Sequence, residues 1–164
     1  MQPVFCPQCA ARLISISHEG RSRLACPQAQ CDYVFWDNPL PVVAGLVEHQ
    51  GKVLLIQNKG WPPKWWGLVT GFLERGETAE QGMLREVDEE LGLKAQIVSL
   101  IGVYTFTQRN QVIMAYHLTA QGQITVGDEL NGVKAVDPDK LRPWPQATGL
   151  AVADWLAERN RKNS

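Results

Sequence analysis

The stretch "GFLERGETAEQGMLREVDEELGL", residues 71–93, decides how this chain is read. Its core, "REVDEEL" at 85–91, sets four carboxylates and one arginine in seven residues of a chain whose net charge is only −1. The local signals are helical from about 79 to 91. Thr78 with Gln81 three residues later makes a capping box, and Gly92 follows as a left-handed stop. Leu84, Val87 and Leu91 fall on one side and can anchor the helix to a core. Glu86, Glu89 and Glu90 stand at i, i+3 and i+4 and share the other face. Like charges at this spacing oppose a helix by roughly 0.2–0.5 kcal/mol per pair. A hard divalent cation such as Mg²⁺ or Mn²⁺, which takes carboxylate, phosphate and water oxygens, removes that objection. A bare acidic face needs no ligand, so the wider pattern has to decide.

That pattern is G-x₅-E-x₇-R-E-U-x-E-E-x-G-U, with U a bulky aliphatic residue. Gly71, Glu77, Arg85, Glu86, Val87, Glu89, Glu90, Gly92 and Leu93 fill every fixed position. A chance match in a chain of this length is on the order of 10⁻⁷ from average composition. On these residues the sequence resembles the Nudix hydrolases, over roughly residues 42–160. The resemblance implies an α/β fold, an α/β/α sandwich around a mixed sheet, and Mg²⁺- or Mn²⁺-dependent hydrolysis of a nucleoside diphosphate linked to a further moiety X. It makes Glu86 and Glu90 the principal metal ligands and Glu89 a third ligand or the base that activates water. Gly71 would lend a backbone carbonyl to the metal. Glu77 becomes the partner of Arg85, holding loop to helix. Glu129, in "VGDELNG" beside Asp128, is the candidate for an additional ligand or base. Such a site answers a physical need. A pyrophosphate repels incoming hydroxide, so cations must neutralise it and acidify a water, and a nearby carboxylate must take the proton. The chain departs from a common family pattern just before this stretch: "WGLVTG" at 66–71 has Val69 and Thr70 where many members carry Pro-Gly.

Working outward, the 164 residues are 45% hydrophobic and 20% charged, the composition of a globular protein of one ordinary domain or a smaller one with an appendage. Apolar runs such as "KVLLI" are too short to span a bilayer, and no basic leader or apolar h-region opens the chain. The expected location is cytoplasmic, with no membrane contact. Near-neutral charge argues against a wide nucleic-acid surface. "VVAGLVEH", a turn at Gln50-Gly51 and "KVLLIQN" read as a hairpin, "KGWPPKWWG" as a loop and "LVTGFL" as a strand. "QIVSLIGVYTFT", "QVIMAYHLTA" and "VKAVD" read as further strands. "ATGLAVADWLAERN" reads as an amphipathic helix with Leu150, Ala153, Trp155 and Leu156 turned to the core.

All four cysteines precede residue 32. Cys6 and Cys9, then Cys26 and Cys31, form two knuckles around a short hairpin, the spacing of a zinc ribbon with a long second knuckle. Disulfides are the rival, disfavoured where thiols stay reduced. The expected division is therefore a structural zinc ribbon at 1–37, a linker broken by Pro39 and Pro41 within "DYVFWDNPLP", and the Nudix domain at 38–164. A ribbon directly before a Nudix domain is similar to the branch of NADH, FAD and ADP-ribose pyrophosphatases. The S-Q-P-W-P-F-P-x-S signature of the NADH enzymes is absent from "GVYTFTQRN", and the P-W-P of "RPWPQATG" lies far beyond the expected place. Trp61 and Phe106 are the candidates to stack on a ring of the substrate, and Arg109 to meet a phosphate. Two alternatives stand beside the hydrolase: a non-catalytic nucleotide sensor or scaffold, and an enzyme acting on nucleotide-capped RNA ends. The family resemblance is compatible with a homodimer.

Overall fold

The computed structural model describes residues 2–163 and falls into two compact units, one ending at Pro39 and one beginning at Leu40. The first holds three strands in the order β1 (Ile14–His18), β2 (Arg21–Ala25) and β3 (Val34–Phe35), all antiparallel. Glu19 and Gly20 turn the hairpin with φ of 49° and 75°, the left-handed pair that a two-residue turn requires. The proline-broken connection is shorter than its sequence suggested. Val34 and Phe35 pair with Ala25 and Leu24, and Leu40 and Pro41 already belong to the next strand.

The second unit is built on a mixed sheet from β4 (Leu40–His49), β5 (Lys52–Asn58), β6 (Val69–Phe72), β7 (Lys94–Phe106), β8 (Gln111–Gln121) and β9 (Leu130–Val136). The order is β7-β8-β4-β5-β9. β4 runs parallel to β8 along its whole length; on its other edge it pairs first with β6, then with β5 through the Gln50-Gly51 turn. Both faces of β4 are covered, which explains its nearly unbroken apolar run. Val43 and Val47 meet Met83, Val87 and Leu91 of helix α1 (Ala79–Leu91), while Val42, Ala44 and Leu46 face helix α2 (Thr148–Asn163) across clusters that include Ala151, Val152 and Trp155. Two helices on opposite faces of a mixed sheet give the α/β/α sandwich.

α1 has the predicted caps. Thr78 and Gln81 exchange both bonds of the capping box, and Gly92 at φ 65° donates its N–H to the Asp88 carbonyl. In α2 the inward face is shifted from the sequence reading: Leu150 is exposed, and Ala151 and Val152 join Trp155 in the core while Leu156 packs at its margin. Thr148, Ala151, Val152 and Trp155 follow the i, i+3, i+4, i+7 spacing of one helical stripe, and Leu150 is turned away from it. Among the described residues no helix is long and apolar enough to cross a membrane.

Candidate active site

β6 and α1 together create the acidic surface. β6 delivers Gly71 beneath α1, where a Cβ on Gly71 would lie 1.9 Å from the Glu86 carboxylate. Only a residue without a side chain lets that carboxylate rest on the strand backbone. Arg85 ties the layers together. Its Nε and Nη2 donate to the two Glu77 oxygens at 3.1 and 2.8 Å, Nη2 also reaches the Phe72 carbonyl, and Nη1 donates to Glu86 at 2.7 Å and Glu89 at 3.0 Å. Glu77 in turn accepts the Glu74 N–H. The Arg85 guanidinium first, then that N–H, holds the Glu77 carboxyl below its ordinary range. So Glu77 and Arg85 form the loop-to-helix clasp, and Glu77 does not line the cleft.

Glu90 differs from its neighbours. It is 6% exposed, and its Oε2 has no hydrogen-bond partner. Burial first, then the charges of Glu86, Glu129 and Glu89, push its carboxyl up to about 8. Burial also raises Glu86, against the pull of Arg85. Glu129 arrives from the loop after β8, which docks on the end of α1: Thr125 and Gly127 donate their N–H groups to the carbonyls of Leu91 and Glu90. A Cβ on Gly127 would stand 2.5 Å from the Glu89 carbonyl, so this approach also depends on glycine.

A cleft of about 1050 Å³ gathers Gly71, Glu86, Glu89, Glu90 and Glu129 together with Trp61, Phe106 and Arg109. Trp61 lies against Gly67. Phe106 packs beside Val42 and Ile113, and Arg109 closes the 3₁₀ turn Thr107–Arg109 after β7. The loop between β5 and β6 is pinned by Gln57, whose amide nitrogen reaches the carbonyls of Pro62, Pro63 and Trp65, leaving Trp65 60% exposed at the rim. Tyr104 is not part of the cleft lining; its hydroxyl donates to Asp154 of α2 at 2.6 Å. The sequence reading overlooked Asn58, Lys64, Trp144, Gln146 and Thr148, all of which line the cleft. The last three come from "RPWPQATG", dismissed for its late position although the fold folds it back over Val42 and Ile113. A tryptophan and prolines immediately before a helix start were the available signal.

The acidic set fits a hard cation on two grounds: a buried carboxylate oxygen without a partner, and a cradle at Gly71 that any Cβ would fill. The cysteines present a different donor set. All four Sγ atoms lie within 4.8 Å of one another, with Cys6 to Cys31 at 3.6 Å and Cys9 to Cys26 at 3.4 Å. These separations are far longer than a disulfide bond of about 2.05 Å. They approach the ~3.8 Å sulfur spacing of a tetrahedron with 2.3 Å metal–sulfur arms. Burial of Cys6 opposes ionisation, but the N–H groups of Gln8 and Cys9 and the thiols of Cys31 and Cys9 outweigh it and bring this thiol down to about 7. At Cys26, by contrast, an N–H from Gln28 is outweighed by burial and the thiols of Cys9, Cys31 and Cys6, which push the thiol up to about 12.

The NUDIX domain profile matches residues 38–156. An ADP-ribose pyrophosphatase of Methanocaldococcus jannaschii is 34% identical over 78% of this chain and 79% of its own length. A Pseudomonas aeruginosa protein named as the NAD-capped RNA hydrolase NudC is 28% identical over 95% of this chain, which spans 56% of that protein. The crystal structure of a NUDIX hydrolase from Nitrosomonas europaea superposes with a TM-score of 0.82 at 28% identity, covering 96% of this chain and 92% of the other. An ADP-ribose pyrophosphatase from Streptococcus suis shares the fold at a TM-score of 0.62 and 17% identity over 74% and 92% of the chains. The glutamate pattern on α1, the sandwich that carries it and these matches agree, and the chain belongs to the Nudix hydrolase family.

Proposed function

We propose that the protein hydrolyses the pyrophosphate bond of a nucleoside diphosphate linked to a further moiety, with ADP-ribose and dinucleotide cofactors such as NADH or FAD as the substrate class, in a reaction that uses Mg²⁺ or Mn²⁺. The observation that carries this reading is Glu90, a buried carboxylate with a partnerless oxygen, beside Glu86 on the wall of a cleft large enough for a dinucleotide. Structures keep such a group only where something else compensates its desolvation. Glu86, Glu89 and Glu90, with the Gly71 carbonyl, are the proposed ligands of the cation. When bound, the cation neutralises phosphate oxygens and acidifies water.

The chain's own groups supply the rest. Arg85 and Glu77 hold α1 against the Gly71 strand, so that Glu86 stays in its cradle. Glu129, on the loop docked against α1, and the 60% exposed Glu89, where it is not a third ligand, are the carboxylates assigned to take the proton from attacking water. The oxygen of that water bonds to one phosphorus while the bridging oxygen leaves with the other, giving two phosphomonoesters. Trp61 and Phe106 offer apolar faces for the base or X, and Arg109 a positive charge for phosphate. In the N-terminal unit, residues 1–37, we assign Zn²⁺ to the four thiolates as a closed structural site. The catalytic domain is 38–164, the expected location cytoplasmic, and a homodimer the expected assembly.

The match to NudC extends over 95% of this chain, the cysteine unit included, and supports action on nucleotide-capped RNA ends as a second reading. Turnover of ADP-ribose, NADH, FAD and a short NAD-capped RNA, each with and without Mg²⁺, separates the readings. The first predicts metal-dependent cleavage of at least one small molecule; exclusive cleavage of the capped RNA supports the second. Binding without any cleavage would leave the sensor.

A further inference from the structure

Asn58 ends β5 at a bulge in its pairing with β9 and lines the cleft. Its backbone is engaged on both sides: the carbonyl accepts the Trp61 N–H, and the next residue, Lys59, donates its N–H to the Glu129 carbonyl. Its side-chain oxygen is not. The Asn58 Oδ1 is shut off from solvent and has no hydrogen-bond partner, one of only two such side-chain atoms among the described residues; the other is the Glu90 oxygen. Both line the same cleft. The proposed chemistry absorbs Glu90 through the cation, but nothing in it uses Asn58. A carbonyl oxygen is an acceptor only, and so is an ionised pyrophosphate. The scissile group therefore cannot satisfy this atom; a hydroxyl or amine can.

We propose that Asn58 is a specificity-determining residue whose amide turns into the cleft when substrate binds, so that Oδ1 leaves its partnerless burial and accepts a hydrogen bond from an O–H or N–H on the sugar or base of the substrate, the part beyond the pyrophosphate, alongside Trp61. The inference rests on the nucleotide reading above, but its test does not use turnover. Removing the oxygen from the free protein takes away an unsatisfied buried acceptor, whereas removing it from the complex leaves the substrate's donor without its partner. Stability and affinity should therefore move in opposite directions.

The experiment measures binding by calorimetry in Ca²⁺, with ADP-ribose and inorganic pyrophosphate as probes, for the wild type, Asn58→Leu and Asn58→Asp, and the melting temperature of each protein. The expected result is a loss of about tenfold in ADP-ribose affinity for Asn58→Leu, a much smaller loss for pyrophosphate, an unchanged or raised melting temperature, and retention of most affinity in Asn58→Asp, which keeps the acceptor. Repeating the titration with the 2′-deoxy analogue and with the analogue lacking the 6-amino group identifies the donor: the Asn58→Leu penalty disappears for the ligand that already lacks it. Equal losses for both probes would mean that the amide serves phosphate as a donor. A lowered melting temperature with uniform loss would mean a structural role, and no loss at all would mean no contact. Each of these overturns the proposal. Failure of the hydrolase reading would appear instead as absence of turnover by the wild type in Mg²⁺ and would leave these affinities intact.

Discussion

The two donor clusters in this molecule are built on opposite principles. The four cysteine sulfurs stand within 4.8 Å of one another and surround a single point. The α1 carboxylates are not drawn together in that way: Arg85 bridges Glu86 and Glu89, Glu90 is buried and unpaired, and Glu129 comes from a separate loop. A soft, closed tetrahedron has no position left for a substrate and serves the fold. Hard oxygen donors spread along the wall of a cleft leave coordination positions for phosphate and water, the arrangement that a reaction needs. The comparison teaches that the difference between a structural and a reactive metal site lies in how far the protein completes it.

The sharpest way to break that contrast is to remove the metals separately. A strong chelator applied to the full chain should unfold the cysteine unit, because zinc binding by small domains of this kind is worth on the order of 10 kcal/mol and supplies most of their folding energy. The same treatment should leave the sheet and helices from Leu40 onward intact. Residue-resolved amide spectra before and after chelation check this; survival of the β1–β3 signals would end the structural assignment.

Gly71→Ala probes the carboxylate side. The new methyl group would enter the space of the Glu86 carboxylate and expel it from its cradle, so turnover should fall by about a hundredfold or more, with a stability cost of about 1–3 kcal/mol. Steady-state kinetics and thermal melting measure both.

Arg85→Gln should have the smallest effect, lowering the melting temperature by roughly 3–8 °C at neutral pH. This penalty depends on pH in a defined sense. Because Arg85 holds the Glu77 carboxyl below its ordinary value of 4.5, the stabilisation is complete above that value and is lost as pH falls through the lower folded-state value. The Glu77 share of the difference between wild type and variant should therefore be full above about pH 5 and shrink in more acidic solution. A gap that widens with acid would contradict the clasp.

Much of this could be read from the sequence because it is local. The capping box, the Gly92 stop, the Gln50-Gly51 turn and the spacing of the glutamates all depend on neighbours a few residues away, and all appear in the structure. What escaped is long-range. That Glu90 is buried while Glu89 is exposed follows from the loop around Gly127 docking on α1, which no helical periodicity can reveal. Trp144 and Thr148 reach the cleft only because α2 crosses the face of β4 and β8. Leu150 stands two residues after Thr148, outside the stripe of Thr148, Ala151, Val152 and Trp155 that the core buries. Val34 and Phe35 are too short a strand to carry a pattern and are fixed by their pairing with β2.

The central claim is that the buried, partnerless Glu90 is kept for a cation that serves pyrophosphate hydrolysis. Its most direct test is turnover of ADP-ribose by the wild type and Glu90→Gln over a range of Mg²⁺ concentrations, with melting temperatures measured without metal. The account predicts metal-dependent cleavage by the wild type, a fall of about a hundredfold or more in the variant, whose amide is a poor substitute for a carboxylate ligand, and a metal-free variant no less stable than its parent, since burial and acidic neighbours already favour the uncharged carboxyl that the amide resembles. Undiminished, Mg²⁺-dependent turnover by Glu90→Gln would contradict it.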